Sequence, residues 1–397
     1  MGFVGVGGMG TVHLENFLAI DGVDVRAICD IVPGKVTAAQ NTVVAAGRPR
    51  PAGYDRGPRD FERLCAEEQL DLVLTATPWE WHVPVCLAAM NNGKHAATEV
   101  PAAVTIEECW QLVETAERTG RHCVMLENCC YDRREMLMLH LVRRGIFGEL
   151  LHAEGAYSHD LRDIKFSRDG EGLWRRAHSM RRNGNLYPTH GLCPLAQCLD
   201  INRGNCFDYL VSLSGPSRGL QEYQERLPAG DPRRTERYVL GDVNLTLIRT
   251  GAGQTIYLVH DTNLPRPYTR LNMIQGTRGI MQGWPDRIYV EGRAAQPHRW
   301  EPLDRWYEEF EHPLWRAERV RGATRGHGGM DYLEDARLIA CLRAGAPTDM
   351  NVYDAAAWSC ISELTELSVR SRSRPVDIPD FTRGRWRTTP PLPIVEG

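Results

Sequence analysis

Apolar and polar positions in the first 127 residues alternate between two patterns. Short apolar runs at residues 3–6, 23–29, 71–77, 95–98 and 122–126 predict buried strands. Between them, residues 13–20, 60–68, 82–92 and 105–119 carry the spacing of amphipathic helices. Gly93 stops one of these helices, and Thr105 with Glu108 has the spacing of a capping box at the start of another. Strands alternating with helices predict a parallel, doubly wound sheet with its ligand at the C-terminal strand ends. After a helix over 133–144, stopped by Gly145, the pattern changes. Strand-like stretches follow at 151–157, 207–214, 239–249, 255–261, 272–276 and 287–290, separated by Gly, Pro and polar turns. Strand after strand without intervening helices predicts a largely antiparallel open sheet. Helical spacing returns at 330–343 and 352–369, and the tail at 390–393 reads as extended.

The first strand runs into Gly5-Val6-Gly7-Gly8-Met9-Gly10, which fits G-x-G-x-x-G. Each glycine has a mechanical reason: the tight turn, the close approach of a pyrophosphate to backbone, and the packing of helix on strand. The following helix offers unpaired N–H groups and a positive dipole end to phosphates. Asp30 closes the second strand, 20 residues beyond Gly10. A carboxylate there binds ribose hydroxyls and repels a 2′-phosphate, so NAD is expected rather than NADP. The fold class is therefore α/β, with an N-terminal Rossmann domain over 1–127 and a substrate-binding α+β domain over 128–397. Trp79-Glu80-Trp81-His82, Glu99-Val100 and Asn128 stand at strand ends and are candidate walls for the nicotinamide half. The alternative for the tryptophans is plain packing.

Two segments of the second half concentrate ionisable and aromatic residues beside turn residues without a clean period. One is Tyr157-Ser158-His159-Asp160-Leu161-Arg162; the other runs from Trp174-Arg175 to Tyr187-Pro188-Thr189-His190-Gly191. Such loops usually line a site, although a single histidine is as often a satisfied hydrogen-bonding group.

Composition narrows the function classes. The 397 residues are 42% hydrophobic and 25% charged, as in folded domains, and the length favours two domains. Net charge is 47 − 51 = −4, with no basic tail, which argues against a nucleic-acid partner. No apolar run is long enough to span a bilayer, so no membrane partner is expected. The twelve cysteines include no CxxC pair and read as reduced thiols. No metal site is expected, since neither HExxH nor paired His–carboxylate spacing occurs. No secretory leader precedes the first strand, so the chain as given reads as cytoplasmic. That strand has almost nothing before it, however, and a lost leader would make the protein an exported one.

Gly5-x-Gly7-x-x-Gly10, Glu99-x-Pro101 and the second-half strand pattern resemble the Gfo/Idh/MocA oxidoreductase superfamily. Longer strings resemble glycoside hydrolase family 109, which contains NAD-dependent α-N-acetylgalactosaminidases. They are Trp79-Glu80-Trp81-His82, Glu127-Asn128-Cys129-Cys130-Tyr131, His152 to Tyr157, His159-Asp160-Leu161-Arg162, Arg182 to Gly191 and Gly326 to Asp331. The resemblance implies NAD contacts from Gly8, Met9, Asp30, Trp79, Glu80, Trp81, His82, Glu99, Val100 and Asn128. It implies sugar contacts from Tyr157, Arg175, Tyr187, Pro188, Thr189, His190 and Tyr268. Arg176 competes with Arg175 for its place in a shifted alignment.

The superfamily's sugar dehydrogenases carry Glu-Lys-Pro, whose amine moves the hydroxyl proton; here the middle residue is Val100. Proton chemistry then passes to His190, Tyr187 or Tyr157, and the three roles stay interchangeable. The implied activity is hydrolysis of a small-molecule glycoside by C3 oxidation, C2 deprotonation, elimination, water addition and re-reduction. The alternatives are an NAD-dependent sugar or inositol dehydrogenase and a non-catalytic dinucleotide-sensing regulator. An open antiparallel sheet could also pair with a copy of itself.

Overall fold

The computed structural model describes residues 1–317 and 326–392. The chain divides into two compact units. One is Met1–Tyr131 with the described part of Leu314–Ser359; the other is Asp132–Pro313 with the described part of Cys360–Glu396. A split at 127/128 places the helices of Leu314–Ser359 in the second domain, whereas their contacts lie in the first unit. Of the extended tail, Pro393 lies outside the described residues.

The first unit holds a six-stranded parallel sheet in the order β3-β2-β1-β4-β5-β6. Its strands are β1 Gly2–Val4, β2 Ala27–Cys29, β3 Ala52–Tyr54, β4 Leu72–Thr75, β5 His95–Thr98 and β6 Cys123–Met125. Helices α1 Gly8–Leu18, α2 Pro33–Ala45, α3 Asp60–Glu67, α4 His82–Asn91 and α5 Ile106–Thr119 connect them. The central strands are buried on both faces, as parallel sheets require: Phe3, Ile28 and Leu74 are fully buried, while the edge strand β3 leaves Ala52 and Gly53 exposed. Thr105 and Glu108 form the expected capping box, and Gly120 ends that helix in the left-handed region. The chain crosses from one side of the sheet to the other between β1 and β4, so the switch point lies at their C-terminal ends.

The sequence pattern missed α2 and β3. Pro33 opens α2 at a helix start, and Ala52-Gly53-Tyr54 is too short and too glycine-weakened to announce a strand. It also placed the first helix late: α1 begins at Gly8, inside the glycine motif.

After α6 Arg133–Arg143, the second unit builds an eight-stranded sheet in the order β13-β12-β11-β7-β10-β9-β8-β14. Its strands are β7 Leu150–Ser158, β8 Phe207–Ser214, β9 Asn244–Thr250, β10 Thr255–Asp261, β11 Met273–Gly276, β12 Gly279–Gly283, β13 Asp286–Val290 and β14 Val376–Asp377. Every pairing is antiparallel except β7 with β10, so the sheet is mixed but largely antiparallel, as expected. The sequence did not mark β12, and β9 starts at Asn244, not near 239. The 174–191 segment, expected as loop, holds helices at Arg175–Arg181 and Thr189–Cys198. The helix expected over 352–369 is two, Val352–Ser359 and Ile361–Arg370, one in each unit. The twelve cysteines are thiols and not disulfides, eleven of them buried. No helix among the described residues is long and apolar enough to cross a membrane.

Candidate active site

In the first unit, Gly5 has φ +83°, and a Cβ there would lie 2.7 Å from the Ala76 carbonyl oxygen. A Cβ on Gly10 would lie 2.1 Å from the Gly5 carbonyl oxygen, so helix and turn touch through backbone alone. Gly7 caps α1 without any side-chain hydrogen bond, and nothing stands within 4 Å of a Cβ built on Gly8. The first amides of α1, including those of Gly8, Met9 and Gly10, are therefore left for an anion. Asp30 is pinned at the tip of β2. Its two carboxylate oxygens accept the Val6 N–H at 3.0 Å and the Val32 N–H at 2.9 Å. An acceptor-only group with lone pairs to spare suits a ribose diol. This cradle fits a dinucleotide.

The other residues expected at the cofactor differ among themselves. Trp79 is buried, Glu80 is exposed, and Trp81 sets its ring edge-on to Phe61 at 6.1 Å. His82 is 1% exposed, and both its ring nitrogens are occupied: Nδ1 lies 2.7 Å from the Pro101 carbonyl and Nε2 2.9 Å from that of Thr77. Burial lowers its pKa against the pull of those carbonyls. A neutral His82 ring carries one N–H and so donates to one of these two carbonyls. Val100 is buried, and its N–H donates to Glu99 Oε2 at 3.1 Å. Asn128 donates to Asp331 Oδ1 at 2.7 Å, and Asp331 Oδ2 sits 2.9 Å from His327 Nδ1.

In the second unit the expected sugar residues gather. Tyr157 stands at the end of β7 with its ring centroid 4.6 Å from that of Tyr187. The His190 ring is edge-on to both, at 5.3 Å and 4.9 Å. Tyr268 meets Tyr157 at 6.3 Å. The buried Arg175 guanidinium lies 5.2 Å from the Tyr187 centroid and pairs with Glu171 at 2.7 Å. Arg176 turns elsewhere, bonding Glu236 at 2.8 Å and the Lys165 and Gly172 carbonyls, so Arg175 is the one of the two that lies beside the tyrosines. Pro188 is the N-cap of the Thr189–Cys198 helix. Thr189 is fully buried, and its Oγ1 has no hydrogen-bond partner among the described residues.

Local sequence explains this arrangement. Arg182 pairs with Glu366, and the Asn185 N–H donates to Thr365 Oγ1 at 2.9 Å, seating the segment on the Ile361–Arg370 helix. Gly155 of β7 and Gly191 then meet backbone to backbone, since a Cβ on Gly155 would lie 2.3 Å from the Gly191 carbonyl oxygen. Gly155 and Tyr157 share one face of the strand. His190, adjacent to Gly191, is thereby held beside Tyr157.

Three more residues join the cluster: His159, marked in the sequence only as part of the loaded 157–162 segment, and His260 and Lys165, which the sequence did not mark. His159 Nδ1 lies 3.2 Å from the Tyr157 hydroxyl. His260 is 2% exposed, and burial, with Lys165 and Arg175 nearby, pushes its pKa down to about 3. Lys165 is equally buried, and its Nζ donates to Thr262 at 2.8 Å and Asn263 at 2.7 Å. Burial, then Arg175, pushes its pKa down to about 7. Period-two alternation along β7 and β10 was the available signal for His159 and His260.

The C-terminal domain profile of glycosyl hydrolase 109 matches residues 131–388, and the NAD-binding Rossmann profile of the GFO/IDH/MocA oxidoreductase family matches residues 1–127. A glycosyl hydrolase family 109 protein of Solibacter usitatus is 50% identical over 396 residues, covering 99% of this chain and 90% of its own. The chain belongs to glycosyl hydrolase family 109. A family 109 protein of Shewanella baltica is 47% identical, covering 100% of this chain and 87% of its own. Among solved structures, a levoglucosan dehydrogenase in complex with NADH and L-sorbose superposes with a TM-score of 0.72 at 20% identity. It covers 96% of this chain and 99% of its own, a likeness of fold. The cofactor of this family 109 chain is NAD, and the protein is an enzyme of the glycoside hydrolase or sugar-oxidoreductase kind.

The first unit of this family 109 enzyme also buries a charged chain. His13 is fully buried, with Nε2 2.8 Å from Glu99 Oε1 and Nδ1 2.9 Å from Asp335 Oδ1. Burial opposes the imidazolium, but the two carboxylates outweigh it and raise the His13 pKa well above its usual value. Glu99 is lowered, since His13 outweighs its burial, whereas burial leaves Asp335 raised. Beside them Glu334 is buried with neither oxygen partnered among the described residues, and burial drives its carboxyl well upward. A raised histidine stabilises fully below its unfolded pKa of about 6.5, and the contribution fades as pH rises through the folded value. His13→Ala should therefore cost roughly 3–5 kcal/mol near neutrality, because it strands buried carboxylates. It should also flatten the alkaline decline in stability; thermal melts across pH check both.

Proposed function

We propose that the protein hydrolyses terminal α-N-acetylgalactosaminyl glycosides, or closely related ones, with NAD as a recycled cofactor. The observation that carries the reading is the cluster of Tyr157, Tyr187, His190 and Arg175. It holds proton-transfer groups and a cation and fits no pair of carboxylates of the ordinary glycosidase type. When bound, NAD supplies a hydride acceptor for sugar C3 that is regenerated within each turnover.

The chain's own residues supply the rest. His190 takes the C3 hydroxyl proton as the ketone forms, then delivers it to the departing glycosidic oxygen. Tyr157 or Tyr187 removes the C2 proton, which the adjacent ketone has acidified. Arg175, beside the Tyr187 ring, favours phenolate character in its neighbours. Pro188 and Thr189 fix the start of the helix that carries His190, and Tyr268 supplies an apolar wall for the sugar. Gly8, Met9, Asp30, Trp79, Glu80, Trp81, His82, Glu99, Val100 and Asn128 are assigned to the cofactor. Val100 can move no proton, which favours this route over a plain dehydrogenase.

The test uses purified protein without added cofactor on nitrophenyl α- and β-glycosides. Release of nitrophenol from the α-N-acetylgalactosaminide with no net NADH supports the proposal. Steady NADH accumulation with a free sugar, and no glycoside cleavage, would replace it with a dehydrogenase.

The partner expected at the second sheet is a further copy of the chain. Leu213 and Leu247 are 60% and 53% exposed. Cross-strand pairing sets Leu213 beside Leu245, and Leu247 beside Val211 and Tyr257. An apolar stripe of this kind marks a docking face. Sedimentation should read a dimer that Leu247→Lys weakens; a monomer at all concentrations would remove the assignment.

A further inference from the structure

A tyrosine with an ordinary pKa near 10 is a poor base at neutral pH unless its own proton has somewhere to go. The second unit provides a receiver. Residues 157 and 159 are two apart along an extended segment, so their side chains fall on one side. The Tyr157 hydroxyl and His159 Nδ1 lie 3.2 Å apart, with the rings edge-on at 5.8 Å. Tyr268 packs edge-on against the His159 ring at 5.0 Å and so limits its rotation. The His159 N–H donates to the Asp261 carbonyl at 2.9 Å, fixing the backbone after the strand ends.

The charged groups around His159 act in opposite directions. Burial, then Arg175 and His190, lower its pKa, while Asp160 and Glu171 raise it; the balance lies below the usual histidine value. Asp160 is committed to a two-pronged pair with Arg162, at 2.8 and 2.7 Å, and Glu171 to Arg175. A neutral imidazole with a free lone pair on Nδ1 is the state that can receive a phenol proton.

We propose that His159 accepts the hydroxyl proton of Tyr157, so that the two side chains together form the base that attacks sugar C2. As the C2–H bond breaks, its proton goes to the Tyr157 oxygen, and the hydroxyl proton already there passes to Nδ1. The C2 electron pair becomes the C1–C2 double bond, and the C1–O bond breaks. The departing oxygen takes the proton held by His190. Water addition runs the transfers in reverse after the relay protons have exchanged with solvent, with His159 returning a solvent-derived proton through Tyr157. His159 is thus a positioning residue acting through Tyr157. The inference rests on the glycosidase reading and, within it, assigns the C2 step to Tyr157.

Four readouts on the purified holoenzyme test it. Nitrogen NMR of the histidine rings should show His159 with Nδ1 unprotonated, and its signal should move in Tyr157→Phe. A proton resident on Nδ1 in the wild type would overturn the proposal. His159→Gln and His159→Ala should each slow deuterium entry at C2 by roughly 10²-fold or more, within the range of general-base effects. In both variants the NADH absorbance that forms on mixing with substrate should persist. The rise of turnover with pH on the acid side should lose its imidazole-like step in His159→Gln. C2 exchange within roughly threefold of wild type in both variants would also overturn the pair, being far below what a lost proton acceptor costs. A wild-type enzyme that releases no aglycone and exchanges no C2 proton would sink the glycosidase reading, and the NMR result would still decide the pair.

Discussion

His190→Ala is expected to lower glycoside turnover by roughly 10²–10⁴-fold, the usual range for a positioned acid–base group, while the protein still purifies with NAD. The imidazole is edge-on to Tyr157 and Tyr187 within 5.3 Å, so it belongs to the cluster that would handle the substrate's protons. The dinucleotide contacts assigned here all come from other residues, Gly8, Met9 and Asp30 among them, and none is altered. Steady-state rates together with the cofactor content of the purified variant check both halves. Near-normal turnover would remove His190 from its role. Loss of NAD along with activity would recast it as a cofactor residue.

Gly191→Val is expected to damage both stability and rate. A Cβ at 191 would lie 2.5 Å from the Ala156 nitrogen and 2.8 Å from its oxygen, both backbone atoms of β7. The strand is held on both sides, by β10 and β11, so it cannot yield. The helix must move instead. Overpacking of this kind costs roughly 1–3 kcal/mol. The helix carries His190, and a shift of about 1 Å between reacting groups can cost on the order of 10²-fold in rate. Gly155→Ala should act in the same direction, since its Cβ would lie 2.3 Å from the Gly191 carbonyl oxygen. Thermal denaturation and turnover of the two variants, measured side by side, check the expectation. Wild-type stability and rate in Gly191→Val would mean that the backbone contact does not set the His190–Tyr157 geometry.

Much of the nucleotide half was legible because its requirements are local. Glycine at 5, 7 and 10, an apolar run before them and an acid after the next strand follow from one turn, one helix and one ribose contact. What escaped notice there depends on distant partners. His82 stands among the expected cofactor residues, and only the fold shows that its ring nitrogens also lie against the Thr77 and Pro101 carbonyls. His13 looked like an ordinary helix residue, and only the return of Asp335 to the first unit, 322 positions later, makes it a buried ionic link.

In the second half, the density of Tyr, His and Arg marked segments whose side chains the fold gathers into one cluster. It did not show that Arg175 and Arg176 diverge, or that helices begin at Arg175 and Thr189. Lys165 and His260 stayed hidden for another reason. Their pKa values are shifted by burial under the cluster, and burial is not written in residue type. The alternation of β7 and β10 carried the relevant signal, placing His159 with Tyr157 and His260 on an inward face, but alternation alone does not say which inward face is a site.

Under the proposed function the glycosidic bond breaks by elimination from a transient C3 ketone, which requires the C2 proton to leave. The most direct measurement is cleavage of a glycoside in D₂O, followed by mass spectrometry and NMR of the released sugar. One deuterium at C2 of the product, with no net change in bound NAD, is the expected result. A released sugar with its C2 hydrogen fully retained would rule out the elimination route.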